Sequence, residues 1–282
     1  MTDCFILSKN RASQLHLLLT SINEHFIDVE KIYVLYTYSN DFFKQGYNKL
    51  FKKMSIFNMD LSNLDIIPIL ESSFREDLLD IFKKEGSDHI LGLCDDNMFF
   101  KDANISETLS KVDFKYNDIF SLRVGKNINI TYEGNLPEIP VFLNEKEYLK
   151  WEWRILKRAC FGFPSCIDNH VYNRKFLYDF YSKHNFNSPP KMEEVFTNNA
   201  NKIFGKFIYS FEHSKTVNIC MNMVQTVSLS NPFGKKYFYS LDELNQKFID
   251  GIVIVPEIDK DKINCIHQEF KMNFINVSII DR

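Results

Sequence analysis

Asp95 and Asp96 stand side by side where an apolar run, Ile90 to Cys94, gives way to polar sequence, and Asn97 follows them. Two carboxylates at one strand end repel unless a cation lies between or beside them. Hard oxygen ligands of this kind suit Mg²⁺ or Mn²⁺ carrying a substrate diphosphate, which the metal neutralises as a leaving group departs. The plainer alternative is that one aspartate caps a turn and the other is solvated. Arg11, Arg75 and Arg123 offer complementary chemistry, because a planar guanidinium matches phosphate oxygens bidentately. Surface solvation competes with that reading for all three, most of all for Arg75, which falls in the first turn of an expected helix. Asp168, Glu193 and Glu194 are carboxylates suited to proton transfer. The last two follow Pro189 and Pro190 at an expected helix start, where acids also serve simply to complement the helix dipole. Trp153, next to Glu152 and Trp151, either stacks on a sugar ring or fills the core.

Positioning these groups falls to a regular series of elements. Cys4 to Ser8 is a short apolar run, followed by Leu15, Leu18, Leu19, Ile22 and Phe26 at helical spacing. Lys31 to Thr37 is rich in β-branched and aromatic residues, and Phe43, Tyr47, Leu50, Phe51 and Met54 form a second helical stripe. Asp65 to Leu70 is a third strand. Ser73 to Glu76 reads as a capping box opening a helix that Gly86 terminates, and His89 to Cys94 is a fourth strand. Strands alternating with helices of this length imply parallel crossovers, and ligands of such sheets sit beyond the carboxyl ends of the strands. Asn10 and Arg11, Tyr38 to Asn40, Glu71 to Arg75, and Asp95 to Asn97 occupy those places. Beyond about residue 105 the alternation ends. Short strands, Asp118 to Val124 and Trp151 to Ile155, then mix with helices, and Ser240 to Glu243 is a second capping box.

With the acidic pair at the end of the fourth strand, the chain resembles the GT-A superfamily of nucleotide-sugar glycosyltransferases. CFILSKNRASQL is similar to the first strand and loop of that fold, ESSFREDL precedes the acidic strand, and SLRVGKN, CFGFPSCIDNHVY, PPKMEEVF and CIHQEF follow in the order of its acceptor half. The resemblance covers roughly the whole chain. It implies a single α/β domain: a Rossmann-like nucleotide-sugar half with a mostly parallel sheet over about 1–105, and a mixed α/β acceptor half over about 106–282. Also implied are a metal site of Asp95, Asp96 and His267, with Asp95 on the ribose, and donor contacts from Asn10, Arg11, Tyr38, Ser39, Arg75 and Arg123. Glu193 stands where similar enzymes carry their base, ahead of Glu194 and Asp168. Asp168, His170 and Trp153 are then substrate contacts, although His170 also reads as a satisfied core histidine. Asn97 departs from the family's Asp-x-Asp element, which leaves open whether it or Asp96 meets the metal. The expected activity is metal-dependent transfer of a sugar from a nucleoside diphosphate donor to a carbohydrate or lipid-linked acceptor.

Composition narrows the field. The 282 residues carry a net charge of −3, without the basic excess of a dedicated nucleic-acid binder. No apolar stretch reaches the roughly 18 residues of a membrane span, so a protein without a transmembrane segment is expected, with peripheral membrane contact left open. The six scattered cysteines form no CxxC pair and read as reduced core thiols, consistent with a cytoplasmic setting. Three rival functions remain. A sugar-nucleotide pyrophosphorylase would need a glycine-rich first loop, and Ser8 to Ser13 has no glycine. A glycosidase would use Asp168 and Glu193 as its pair, and a binding module would keep the fold without turnover. A turn with two lysines, Asn231 to Lys236, is a candidate closing loop.

Overall fold

The computed structural model describes residues 1–52, 61, 63–131, 133–144, 148–157, 160–224 and 236–277. Its first half runs β1 (Thr2–Lys9), α1 (Ala12–His25), β2 (Val29–Thr37), α2 (Asp41–Lys52), β3 (Asp65–Leu70), α3 (Phe74–Lys83) and β4 (His89–Cys94). There follow β5 (Asn97–Phe99), α4 (Ile105–Ser110), β6 (Ile119–Ser121), β7 (Leu143–Asn144), β8 (Leu149–Glu152), β9 (His170–Asn173), α5 (Arg174–Tyr181), α6 (Pro189–Ile203) and β10 (Phe207–Ser210). The chain closes with β11 (Thr216–Ile219), α7 (Leu241–Ile249), β12 (Ile252–Pro256), β13 (His267–Gln268) and β14 (Met272–Asn276).

A nine-stranded sheet in the order β3-β2-β1-β4-β9-β6-β10-β8-β7 forms the backbone of the α/β fold. Strands β3, β2, β1 and β4 are parallel, as the alternation of strands and helices requires, whereas β9 inserts antiparallel between β4 and β6. The central strands β1 and β4 are buried along most of their length, as strands covered on both faces are, whereas β3 at the sheet edge is half-buried to exposed. Cys4, Ile6, Ile32 and Val34 point toward α1 and α2, and Phe5, Leu7, Tyr33 and Leu35 point toward α3, α5 and α6. Each such fully buried aliphatic side chain contributes roughly 1.5–3 kcal/mol of transfer free energy. A second sheet, β13-β11-β5, takes up the chain directly after the acidic pair, at Asn97.

Several local expectations are corrected. β6 is shorter than Asp118 to Val124, and β8 lies two residues before the expected Trp151 start. Neither capping box forms: Ser73 and Ser240 are N-caps by position but make no side-chain cap bond. At α3 the Asp77 carboxylate does that work, accepting from the Ser72 and Ser73 amides at 2.6 and 2.8 Å. Gly86 does not end α3, whose last bond is Lys84 N–H to Asp80. Its role is space, since a Cβ there would come 2.3 Å from the Asp3 carboxylate, which is paired with Arg174. The segment Asn231 to Lys235 lies outside the described residues. Among those described, no helix is long and apolar enough to cross a membrane.

Candidate active site

The site is built at the carboxyl ends of the parallel strands. After β1 the chain turns through Asn10, at φ 58°, a conformation that asparagine tolerates better than most residues. Its side-chain oxygen accepts from the Ser39 amide at 2.8 Å and its amide donates to the Ser39 hydroxyl at 3.0 Å. The loops after β1 and β2 are thus tied together. Tyr38 lies beside them, half-buried, with the Lys44 ammonium 5.9 Å from its ring.

Arg11 follows at the start of α1 and is buried. Nη1 reaches Asp95 Oδ1 at 2.9 Å and Asp96 Oδ2 at 3.4 Å, and Nε and Nη2 are held by the Asn222 side-chain and backbone oxygens at 3.0 and 2.6 Å. The cation that the adjacent carboxylates require is therefore this guanidinium. The second Asp95 oxygen accepts from the Lys9 amide at 3.1 Å, which leaves Asp95 fully engaged. Asp96 is different: Oδ1 is buried without a hydrogen-bond partner. Burial pushes the Asp96 carboxyl up to about 6, with Asp95 and Asp168 adding to the rise and Arg11 opposing it. Asn97 is turned inward. Its oxygen accepts from the Cys94 amide at 2.7 Å, closing the turn, and its nitrogen donates to Asp168 at 3.3 Å. Of the two candidates for the metal-facing place, only Asp96 retains an uncommitted oxygen.

A second buried group begins at Asp168. Gly92 on β4 lets the segment before β9 lie against the strand, since a Cβ there would come 2.0 Å from the Ile167 carbonyl oxygen. Asn169, at φ 61°, locks the crossing by donating its amide to the Gly92 carbonyl at 2.7 Å. Asp168 is thereby brought to Arg123 Nη1 at 3.3 Å, the Cys166 thiol, and the side-chain amide of Asn218. Burial raises the Asp168 carboxyl, but the Arg123 charge and the bonds from Cys166 and Asn218 outweigh it and hold the group well below the usual range. Asn97, Asn218 and His267 are paired residues across β5, β11 and β13, so they form one row over the site. Burial and then Arg123 lower the His267 imidazole to about 4, which keeps it neutral.

Glu193, in the first turns of α6, accepts from the Ile167 amide at 3.0 Å. Burial, followed by the Asp168 charge, raises it to about 7. Glu194 points away and pairs with Lys191 at 2.6 Å on an exposed surface. The helix geometry separates the two as neighbours about 100° apart.

Other expected contacts stand elsewhere. Arg75 donates to the backbone carbonyls of His184 and Ser182 at 2.8 Å each and pairs with Glu76, fastening α3 to the end of α5. Trp153 is buried, its indole N–H on the Gly205 carbonyl at 2.8 Å. His170 is a buried, neutral histidine lowered by burial to about 3, with Nδ1 3.3 Å from the Tyr172 hydroxyl. Among the described residues only Cys166, Asp168 and Glu193 bring three ligating atoms within 4.8 Å of one another. The Asp95, Asp96 and His267 set is not closed in that way. The Cys166 group already contains a cation, because Arg123 Nη1 contacts both its thiol and Asp168. Sequence reasoning passed over Asn218, Asn222 and Cys166. Nothing in the types or spacing of these residues distinguishes them, since short-strand register and long-range contacts bring them in.

No family model matches the sequence, and no curated protein matches it. Among solved structures, S. aureus TarS aligns over 77% of this chain and 36% of its own at 14% identity, with a TM-score of 0.45. The TarS 1–349 structure in complex with UDP aligns over 77% and 60% at 14% identity, with a TM-score of 0.46. The glycosyltransferase GlyE of Streptococcus pneumoniae TIGR4 aligns over 92% and 60% at 13% identity, with a TM-score of 0.43. The chain spans at most 60% of each of these structures.

Proposed function

We propose that the protein is a GT-A-type glycosyltransferase that moves a sugar from a nucleoside diphosphate to a hydroxyl of a carbohydrate or lipid-linked acceptor. The observation that carries this reading is Glu193. It is a carboxylate poised near neutrality, beside a cluster that runs through Asp168 and Asn97 to the acidic pair at the strand ends.

In an inverting transfer Glu193 accepts the proton of the acceptor hydroxyl while that oxygen bonds the anomeric carbon. The bond from that carbon to the diphosphate breaks in the same step, and its electron pair leaves on the nucleoside diphosphate. A base with a pKa near the working pH combines availability with driving force. The Ile167 amide and the Cys166 thiol hold the Glu193 carboxylate in place for that proton transfer. Asn10 and Ser39 would line the nucleoside end, and Arg11 and Arg123 would offer positive charge to the phosphates, while Asp95, buried and held by Arg11 and the Lys9 amide, would keep Arg11 in place rather than meet the ribose.

The donor set suits a hard dication. Asp96 Oδ1 is a buried oxygen with no partner, and Mg²⁺ or Mn²⁺ is commonly held by one or two carboxylates with substrate phosphates completing the shell. Asp96 would hold the ion, with substrate phosphates rather than His267 completing its shell. When bound, the ion neutralises charge that gathers on the leaving diphosphate. The free cysteines support placement in the reducing cytoplasm.

A screen of UDP, GDP, CDP, ADP and dTDP, with and without Mn²⁺, tests the reading through thermal stability. At least one should raise the melting temperature, because a ligand of the native state stabilises it. UDP, bound in the TarS 1–349 structure, is the first to try. Failure of all five to bind would remove the reading. Turnover of the corresponding nucleotide sugar then separates an enzyme from a binding module.

A further inference from the structure

We infer that Arg11 gates the acidic pair, so that Asp95 and Asp96 admit a divalent cation only together with a nucleoside diphosphate. The inference rests on the function proposed above and adds an order of binding to it.

Arg11 Nη1 contacts one oxygen of each aspartate, while Nε and Nη2 are anchored on Asn222. Gln14 adds a second donor to the Asn222 side-chain oxygen at 3.0 Å, and Asn222 in turn donates to the Tyr239 carbonyl at 3.0 Å. The guanidinium is therefore held in place from the side opposite the carboxylates. With no phosphate present, a dication approaching Asp96 Oδ1 meets a fixed positive charge a few ångströms away in a buried setting, where screening by salt is weak. Both Asp95 oxygens already hold a donor, one Arg11 and the other the Lys9 amide, so Asp95 is the weaker ligand until Arg11 moves.

A diphosphate changes that balance. Its oxygens are competing acceptors for a guanidinium, which binds phosphate in the same forked geometry as carboxylate. As Arg11 turns part of its donor set to phosphate, the acidic pair is released from its internal counter-ion. The dication then finds ligands from both the protein and the donor. A cation bound without nucleotide would occupy the site unproductively, and the arginine prevents it.

Mn²⁺ titration followed by electron paramagnetic resonance tests the gate without reference to activity. Wild-type protein should bind Mn²⁺ alone at least tenfold more weakly than in the presence of saturating UDP. Arg11→Gln should bind Mn²⁺ alone at least tenfold more tightly than wild type, and Asp96→Asn added to that variant should abolish the gain. Equal wild-type affinity with and without UDP, or no gain in a folded Arg11→Gln, overturns the inference.

A measurement on the wild type guards against misfolding of the variant. In a ¹⁵N-arginine spectrum the Arg11 Nε–H resonance should persist on adding Mn²⁺ alone and broaden when UDP joins it. Broadening by stoichiometric Mn²⁺ alone overturns the gate. If none of the five nucleoside diphosphates binds, the glycosyltransferase reading fails separately, and the Arg11→Gln titration still reports on the arginine.

Discussion

Glu193 and Glu194 are adjacent in sequence and opposite in circumstance, so a pair of substitutions at one peptide bond tests the assignment of the base. Glu193→Gln keeps the Ile167 bond and should slow the chemical step by roughly 10² to 10⁴, with little change in donor affinity. Glu194→Gln should leave turnover nearly intact; equal small effects would pass the role to Asp168, or to a retaining course that the product's anomeric NMR signal would reveal. Burial raises Glu193 from 4.5 to about 7, so wild-type kcat/KM should rise with pH through about 7, and the variant should lose that limb. The same shift has a stability consequence. The folded state binds this proton more tightly than the unfolded chain, so the contribution is complete below about pH 4.5 and is lost as pH rises through 7. At pH 8 Glu193→Gln should therefore be more stable than wild type by about 1–3 kcal/mol, the full shift being reduced by partial exposure. Denaturant melts at pH 4 and pH 8 measure the difference, and a variant less stable at pH 8 contradicts the assignment.

Elements place these side chains, and their sequence signals were unequal. β3 and β4 were legible to the residue because continuous apolar runs ended at sharp polar boundaries. The helix start at Phe74 was also legible, but its chemistry was not: Ser73 and Glu76 match a capping box by type, and Asp77 takes the amides instead. Asp77→Ala should cost about 0.5–2 kcal/mol, in the range of a lost cap, and Ser73→Ala less than about 0.5 kcal/mol. Urea titration of both variants decides between the two caps. The row of Asn97, Asn218 and His267 was not legible, because β5, β11 and β13 are two to four residues long and too short to show a period. Gly92 is the element-scale residue on which the site most depends. Gly92→Ala would drive a methyl into the Ile167 carbonyl, with a cost of about 1–3 kcal/mol or more for overpacking. It should also displace Asp168 and the Glu193 contact, so activity should fall further than stability alone accounts for.

At the scale of the whole molecule, the change of pattern near residue 105 marks a difference of topology inside one continuous sheet. β4 of the first half pairs with β9 of the second, and both principal cores draw side chains from each half. Sequence periodicity registers the loss of strand and helix alternation but carries no information about which strand lies beside β4, since that pairing spans about eighty residues. A sheet shared in this way predicts that the halves unfold together, because separating them would expose the long apolar edge of β4. The protein's two tryptophans, Trp151 and Trp153, both belong to the second half, while Asn10, Arg11, Ser39, Asp95 and Asp96 belong to the first. Tryptophan fluorescence is thus a remote reporter of the proposed nucleotide site. If the halves are one cooperative unit, UDP with Mn²⁺ should raise the fluorescence melting temperature as much as that followed by circular dichroism. The expected rise is roughly 5 °C at a UDP concentration about 100 times its Kd. A ligand-dependent shift in circular dichroism with an unmoved tryptophan transition would mean that the sheet breaks between β4 and β9, and that the second half melts on its own.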